Sequence, residues 1–212
     1  IVISVYIYGL YEGRSQGSGT RRSACDPFPG LESQVSDNTV RYASATGRTL
    51  MNTDRSGLHY VITGGTGALG SAVVEQLLKT GAVCHIPTVD AKELGRFPYK
   101  DQCQIAERVE LTDEAAVESF FARFDGPKAP RLWASIHIAG GFAMSPVEAT
   151  SKADFVKLMQ TNALTCFLCS REAVKRMKSA QKRSAGGIGS SGGRIVNVAA
   201  RPGLIPELGA GM

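Results

Sequence analysis

The stretch HYVITGGTGALGSAVVEQLL, residues 59–78, decides the fold of this chain. Its first five residues form an apolar β-prone run, which predicts a buried strand. Apolar residues then recur at helical spacing: Leu69, Val73, Leu77 and Leu78. Glycines fill the turn between the two patterns, and Gly81 ends the second one. The stretch therefore predicts a strand, a tight turn and a helix in direct succession.

The same alternation continues along the chain. Further β-prone runs predict strands at residues 82–87, 108–111, 133–139 and 194–199. Helical patterns separate most of them, which is typical of βαβ units around a parallel sheet. A Gly/Ser-rich stretch, residues 179–193, predicts a mobile surface loop before the last strand. We expect the outer edge of that last strand to be unpaired.

Two of the intervening helices have a recognisable apolar face. Thr112 stands where it can cap the first of them. The buried stripe predicted for that helix is Val117, Phe120, Phe121 and Phe124. The second helix begins near Lys152, and we expect Asn162 to lie on its apolar face. The other residues predicted for that face are Phe155, Leu158, Met159, Cys166, Cys169, Ala173 and Met177.

The composition of the 212 residues, with 43% hydrophobic and 20% charged, is typical of one sizeable globular domain. The net charge of +5 is weak evidence for an anionic partner. A basic cluster runs along the end of the long helix: Arg171, Lys175, Arg176, Lys178, Lys182 and Arg183. Because no aromatic residues are interleaved with it, we interpret it as a solvated surface and expect no nucleic-acid partner.

Residues 1–57 are an unassigned leader, which we expect to be poorly ordered or a non-native extension because they show no sustained apolar period. Their most apolar part, residues 1–10, is too short to cross a bilayer, so we expect no membrane partner. The five cysteines are odd in number and irregularly spaced, which favours a reducing compartment and a cytoplasmic protein. Since the first residue is Ile, a trimmed targeting peptide and organellar import stay open.

The glycine turn after the first strand carries the main functional signal. Gly64, Gly67 and Gly70 lie between a strand and a helix, which is where a dinucleotide-binding turn requires them. Glycines there let the backbone turn sharply and let a pyrophosphate approach closely. The unpaired N–H groups at the helix N-terminus would then face the phosphates.

With these motifs the chain resembles the short-chain dehydrogenase/reductase family from residue 58 to residue 212. The resemblance rests on TGGTGALG at 63–70, IAGG at 138–141, Asn162 on the following helix and GRIVNVAA at 193–200. It implies a Rossmann-type doubly wound parallel sheet with strand order 3-2-1-4-5, incomplete at its C-terminus. The combination of GGTGALG with AGG is similar to the dihydropteridine reductase-like subgroup.

The resemblance also implies which residues hold an NAD(P)H cofactor. The pyrophosphate would lie against Thr63, Gly64, Gly65, Thr66, Gly67, Ala68, Leu69 and Gly70. Thr88 ends the second strand, Glu110 and Leu111 would flank the adenine, and the ribose would approach Ala139, Gly140 and Gly141. Asp90 could bend back to the ribose hydroxyls, whereas Lys92 and Arg96 could meet a 2′-phosphate. The choice between NAD and NADP stays open, with a slight preference for NADPH.

For catalysis, the resemblance implies that Asn162 helps to hold a water in a proton relay. The family's serine position holds Ala199 and Ala200, and its Tyr and Lys are expected beyond Met212. We interpret His137 as a hydrogen-bonded core residue, and the Cys166/Cys169 pair as core packing, so we expect no metal site.

Two functions compete on these grounds. The first is a fragment of an NAD(P)H-dependent oxidoreductase that transfers hydride to a carbonyl or quinonoid C=N small-molecule substrate, with the full-length form a homo-oligomer. The second is a catalytically inactive NAD(P)-binding module with a regulatory or scaffold role.

Overall fold

The computed structural model describes residues 3–9, 54–143, 145–183 and 193–200. A six-stranded sheet forms its centre. The strands are β1 (Ile3–Gly9), β2 (His59–Thr63), β3 (Val83–Pro87), β4 (Gln104–Ala106), β5 (Leu132–His137) and β6 (Arg194–Ala200). Their order across the sheet is β1-β6-β5-β2-β3-β4. Counted from β2, the five parallel strands therefore lie in the order 3-2-1-4-5, which confirms the predicted topology.

Helices connect these strands. They are α1 (Ala68–Leu78), α2 (Ala91–Leu94), α3 (Glu114–Phe121), α4 (Lys152–Met159) and α5 (Thr165–Arg183). A five-residue π-turn, Gln160–Leu164, joins α4 directly to α5. In the described part of the chain, no helix has the length and apolarity that a bilayer span requires.

The core lies on both faces of the sheet, because successive residues of β2 point to opposite sides. Val61 packs on one face against α3 and α5, where Phe121, Leu168 and Ala173 are buried. Tyr60 and Ile62 pack on the other face with α1. Burial on both faces explains why β2 and β3 are nearly continuous apolar runs instead of alternating ones.

Two predicted strand features are wrong. The third parallel strand is Gln104–Ala106 and not residues 108–111. Arg108 has a left-handed φ of 58°, which ends the extended backbone, although Val109 and Leu111 are buried as an apolar strand would be. The outer edge of β6 is also not unpaired, because β1 lies antiparallel to it from Ile3 opposite Ala200 to Gly9 opposite Arg194.

The assignment of residues 1–57 as a leader stays a prediction. Ile3–Gly9 is a strand of the sheet, and the next described residue is Asp54. Residues 10–53 lie outside the described residues.

The helix predictions need three corrections. The cap of α3 is Asp113, whose side chain accepts hydrogen bonds from the Ala115 and Ala116 amides, and not Thr112. Phe155, Met159 and Asn162 are exposed instead of lying on a buried apolar face, since the π-turn interrupts the regular helical period between α4 and α5. The loop predicted from residue 179 begins later, since α5 extends to Arg183; residues 184–192 lie outside the described part.

Part of the basic cluster on α5 is buried and paired and is not a solvated surface. Glu172 is fully buried and accepts hydrogen bonds from Lys175 at 2.7 Å, Arg171 at 3.0 Å and the buried Arg176. Arg176 also contacts Asp125, at 3.1 Å, on the turn after α3. Of these pairs, the one between Arg176 and Asp125 joins α5 to the α3 side of the core.

Candidate functional site

A cleft of about 850 Å³ opens at the carboxyl ends of β2, β3 and β5. This is where open parallel sheets bind ligands, because the strand order reverses between β2 and β5. Most of the predicted cofactor residues line it: Gly64, Thr66, Gly67, Ala68, Leu69, Gly70, Thr88, Glu110, Leu111, Ala139 and Gly140. Thr63, Gly65 and Gly141 are not in its wall.

The β2–α1 turn requires glycine at two of its positions. Gly64 has a left-handed φ of 66°, and a Cβ there would lie 2.7 Å from the Ala139 amide nitrogen. A Cβ on Gly70 would overlap the Gly64 carbonyl oxygen. Neither neighbour can move, because both are backbone. The turn therefore brings α1 and the β5 loop as close as their main chains allow.

The N-terminus of α1 differs from those of the other described helices that start at a loop. Asp90, Asp113 and Ser151 cap α2, α3 and α4 with their side chains. Gly67 caps α1 without any side-chain hydrogen bond, and no acidic residue lies in its first turn. The first amides of α1 therefore face the cleft unpaired, with the positive end of the helix dipole.

Thr63 supports the floor of the cleft from below. Its side chain is buried, and its Oγ1 accepts hydrogen bonds from the Ile138 and Ala139 amides, both at 3.2 Å. These two bonds join the end of β2 to the loop after β5. Thr63 thus positions the predicted ribose-facing segment without itself lining the cleft.

At the end of β3 the cleft contains a carboxylate that the sequence reasoning missed. Glu93 Oε2 accepts hydrogen bonds from Thr66 at 2.8 Å and Thr88 at 3.1 Å. Asp90 does not bend back to this point, because its carboxylate caps α2 through the Lys92 amide. The signal that could have located Glu93 is the capping pattern Asp90-Ala-Lys-Glu93, which starts a helix directly after the strand.

Two cationic residues, Lys92 and Arg96, line the same end of the cleft as Glu93. Glu110 lines the next segment, and its Oε1 accepts hydrogen bonds from the Thr112 amide and hydroxyl at 3.1 and 2.8 Å. The buried Leu111 provides an apolar wall beside it.

Asn162 lies in the π-turn and holds the loop after β5. Its Oδ1 accepts a hydrogen bond from the Gly141 amide at 2.9 Å, and its Nδ2 donates to the carbonyls of Gly141 and Leu158. A Cβ on Gly140 would lie 2.6 Å from Asn162 Oδ1, so a larger residue there would have to displace the Asn162 side chain. The π-turn also places Thr161 and Thr165 in the wall of the cleft.

The profile of the short chain dehydrogenase family matches residues 59–211, which is most of the sequence. The chain belongs to this family. The predicted family resemblance is therefore confirmed.

Solved structures of other short-chain dehydrogenases share the fold. Serine dehydrogenase from Escherichia coli is 18% identical over 58% of this chain and 58% of that chain, with a TM-score of 0.51. A short-chain dehydrogenase/reductase from Mycobacterium ulcerans is 17% identical over 59% of this chain and 48% of that one, with a TM-score of 0.54. ElxO with NADP bound is 25% identical over 58% and 52%, with a TM-score of 0.53. The chain thus spans about half the length of these proteins.

In this short-chain dehydrogenase, His137 is a core residue, as predicted. Only 4% of its surface is exposed, and burial lowers its pKa to about 4. The neutral imidazole donates from Nδ1 to Asn197 Oδ1 and accepts from the Ser135 hydroxyl at Nε2, both at 2.8 Å. It joins β5 to β6 beneath the cleft and carries no free proton into it.

Among the described residues of the short-chain dehydrogenase, His, Cys, Asp and Glu side chains form no group of three that could hold a metal ion. Cys169 is buried in the core, as the packing interpretation predicts. Cys166 is half-buried, with its Sγ 4.0 Å from His137 Nδ1.

Proposed function

We propose that this chain is the nucleotide-binding part of an NAD(P)H-dependent oxidoreductase that transfers hydride to a carbonyl or quinonoid C=N group of a small-molecule substrate. The observation that carries the proposal is the N-terminus of α1, which has no side-chain cap and opens into the cleft at the point where the strand order reverses. Such a helix end is an anion site built from backbone amides. The family membership supports the same chemistry.

The residues present fit a dinucleotide. The β2–α1 turn, including Gly65, would hold the pyrophosphate, and Glu110 and Leu111 would flank the adenine. Gly140 and Gly141 would leave room for the second ribose. The nicotinamide ring would supply the hydride. Asn162 would position the loop that carries Gly141, and the proton relay implied by the resemblance would use a water near this amide.

The preference between NADPH and NADH depends on the charged side chains in and just after α2. Lys92 and Arg96 are two cations against the single carboxylate of Glu93, which favours the extra phosphate of NADPH over NADH. Glu93 opposes this preference, because it would repel a 2′-phosphate and could accept a ribose hydroxyl instead. We therefore propose that NADPH is preferred and that Glu93 limits the preference.

The first experiment measures cofactor binding to the 212-residue chain by the fluorescence enhancement of NADPH and NADH. Gly64→Ala should abolish the enhancement, because its new methyl group would meet the Ala139 amide. Gly57→Ala is the matched control, since Gly57 also has a left-handed φ, 72°, but nothing lies within 4 Å of its Cβ position. Circular dichroism establishes that both variants fold. If the wild-type chain binds neither cofactor, the proposal is wrong.

A second experiment addresses the preference. In Glu93→Gln, the ratio of NADPH affinity to NADH affinity should rise about tenfold, which corresponds to about 1.4 kcal/mol. Glu118→Gln, on the exposed side of α3, removes an equal charge outside the cleft and should leave the ratio unchanged. An unchanged ratio in Glu93→Gln would show that the 2′-phosphate lies elsewhere.

The second candidate function, an NAD(P)-binding module without catalysis, is favoured by Ala199 and Ala200 at the family's serine position. The two functions differ in turnover and not in binding. A full-length transcript that encodes a Tyr followed four residues later by Lys beyond Met212, together with NADPH consumption, supports the enzyme. Tight cofactor binding without those residues supports the module.

The remaining expectations stay proposals: a homo-oligomeric full-length form, a cytoplasmic location and a dihydropteridine reductase-like subgroup. The exposed apolar side chains of Phe155, Met159 and Phe167 favour a partner surface on α4 and α5. Light scattering of the full-length protein measures its molar mass and tests the first of these proposals.

A further inference from the structure

Cys84 and Cys103 lie side by side on neighbouring strands. Parallel pairing places His85 of β3 opposite Gln104 of β4, so the two residues that precede them are also neighbours. Cys103 continues the strand direction, with an extended φ of −115° and ψ of 156°. Adjacent strands are about 4.8 Å apart. This separation lies within the range of roughly 4.4–6.8 Å that joins the Cα atoms of a disulfide.

The two side chains point to the same face of the sheet. Cys84 is fully buried in the core cluster on the α1 side, and the half-buried Cys103 packs against that cluster. Each thiol shifts the pKa of the other. The two cysteines therefore share one side of the sheet on adjacent strands.

The two thiols differ in reactivity. The neighbouring Cys84 thiol lowers the pKa of Cys103, whereas the Cys103 thiol and burial raise the pKa of Cys84. Cys103 is also the more accessible of the two. Because the thiolate is the reactive form, Cys103 is the group that an oxidant reaches first.

We propose that Cys84 and Cys103 form a redox modification site that closes to a disulfide when a peroxide-class oxidant reaches the edge of the sheet. The Cys103 thiolate attacks a peroxide oxygen; an S–O bond forms, the O–O bond breaks, and the departing hydroxide takes a proton to become water. The Cys84 sulfur then attacks the sulfenic acid; the S–S bond forms, the S–O bond breaks, and the Cys84 proton leaves with the hydroxyl group as a second water. Two thiols are oxidised by two electrons in total, and hydrogen peroxide is reduced to two waters.

The bond would tie β4, the edge strand, to β3 inside the core. The segment after β4 leads directly to Val109, Glu110 and Leu111 in the wall of the cleft. A disulfide of this kind in a reducing compartment is transient and responds to oxidation instead of being permanently structural. The proposal does not depend on the bound ligand of the cleft.

The chain contains a matched reference pair. Cys166 and Cys169 are three residues apart on α5, where such Cβ atoms are about 5–6 Å apart. Disulfide Cβ atoms are only about 3.5–4.5 Å apart. A helix must therefore distort to join the second pair, whereas the Cα separation of neighbouring strands already lies within the disulfide range.

The experiment treats the reduced 212-residue chain with hydrogen peroxide, blocks free thiols with N-ethylmaleimide in acid, and digests it with trypsin. Mass spectrometry should detect the peptide of residues 80–92 joined to that of residues 101–108, with the loss of two hydrogen masses. Dithiothreitol should separate them. Cys103→Ser should abolish the link, and Cys166→Ser should retain it.

Two outcomes would overturn the proposal. In the first, Cys103 is oxidised to the sulfinic acid and no disulfide to Cys84 forms. The other is a link that forms only after unfolding in urea, because the native neighbourhood would then play no part. The second measurement uses the wild-type chain, so it remains decisive if Cys103→Ser fails to fold.

Discussion

A substitution at Gly67 should raise the stability of α1 and at the same time weaken anion binding. Gly67 is the N-cap of α1, with an extended φ of −73° and ψ of 171°, and it lines the cleft. A Cβ there would meet only the Gly64 carbonyl oxygen, at 3.4 Å. Asp fits this conformation and is a favoured N-cap residue. We therefore expect Gly67→Asp to fold and to stabilise α1 by roughly 0.3–1 kcal/mol.

The same carboxylate should prevent a pyrophosphate from binding. It would accept hydrogen bonds from the α1 amides that the phosphates need, and it would place a negative charge beside them. Two unit charges about 5 Å apart at an effective dielectric constant of about 20 repel each other by roughly 3 kcal/mol. We expect NADPH affinity to fall about 100-fold, which is the equivalent of about 2.8 kcal/mol.

Gly67→Asn is the matched control, because it caps the helix without the charge. Fluorescence titration with NADPH gives the affinity, and urea unfolding followed by circular dichroism gives the stability. We expect Asn to weaken binding by about tenfold or less, corresponding to about 1.4 kcal/mol. A folded Gly67→Asp chain that binds NADPH as well as the wild type would refute the assignment of the anion to this helix end. Equal losses in the Asp and Asn variants would show that charge is not the cause.

Three further predictions concern stability. Burial lowers the pKa values of His85 and His137 from the ordinary imidazole value of 6.5 to about 4, so both are neutral in the native state at neutral pH. Their contribution to the free energy of unfolding is fully present above pH 6.5 and is lost as the pH falls toward 4. At pH 5 the loss is about 2 kcal/mol per histidine. A midpoint of urea unfolding that stays the same between pH 7 and pH 5 would contradict this. Glu172→Gln removes the buried one of the two carboxylates that pair with Arg176 and should lower the free energy of unfolding by about 1.5–3 kcal/mol. The exposed ion pair of Glu75 is its control, and Glu75→Gln should change that free energy by less than about 1 kcal/mol in the same urea titration. Asn162→Ala removes the amide that joins the π-turn to the loop after β5, so stability should fall by about 1–2 kcal/mol; no loss by thermal or urea unfolding would show that the loop is held by other contacts.

The sheet order was predictable because hydrophobic runs and the glycine turn are local signals of strand, turn and helix. The third strand was misplaced because Val109 and Leu111 are as apolar as strand residues, while the left-handed backbone of Arg108 leaves no mark in a hydrophobic pattern. The cap of α3 was misplaced by one residue, since Thr112 and Asp113 are both good caps and only the geometry selects between them.

The candidate site was predictable wherever the backbone makes it. The glycine turn and the small residues after β5 line one cleft because their backbone positions follow from the topology. Glu93 was not predictable in the same way, because its contact with Thr66 joins residues 27 apart in sequence through two side chains. Side-chain contacts of this kind depend on how α2 packs after β3.

Because of the π-turn between α4 and α5, the geometry of the site depends on the number of residues in this segment. Over the same length a regular helix holds fewer residues, so a homologue lacking one residue of 160–164 could form a continuous helix with both ends still anchored. Such a deletion would leave the core intact but would move the Asn162 side chain away from the loop after β5 that it holds. Comparisons of natural length variants should therefore treat a gap in this segment as a functional difference, even where every aligned residue is unchanged.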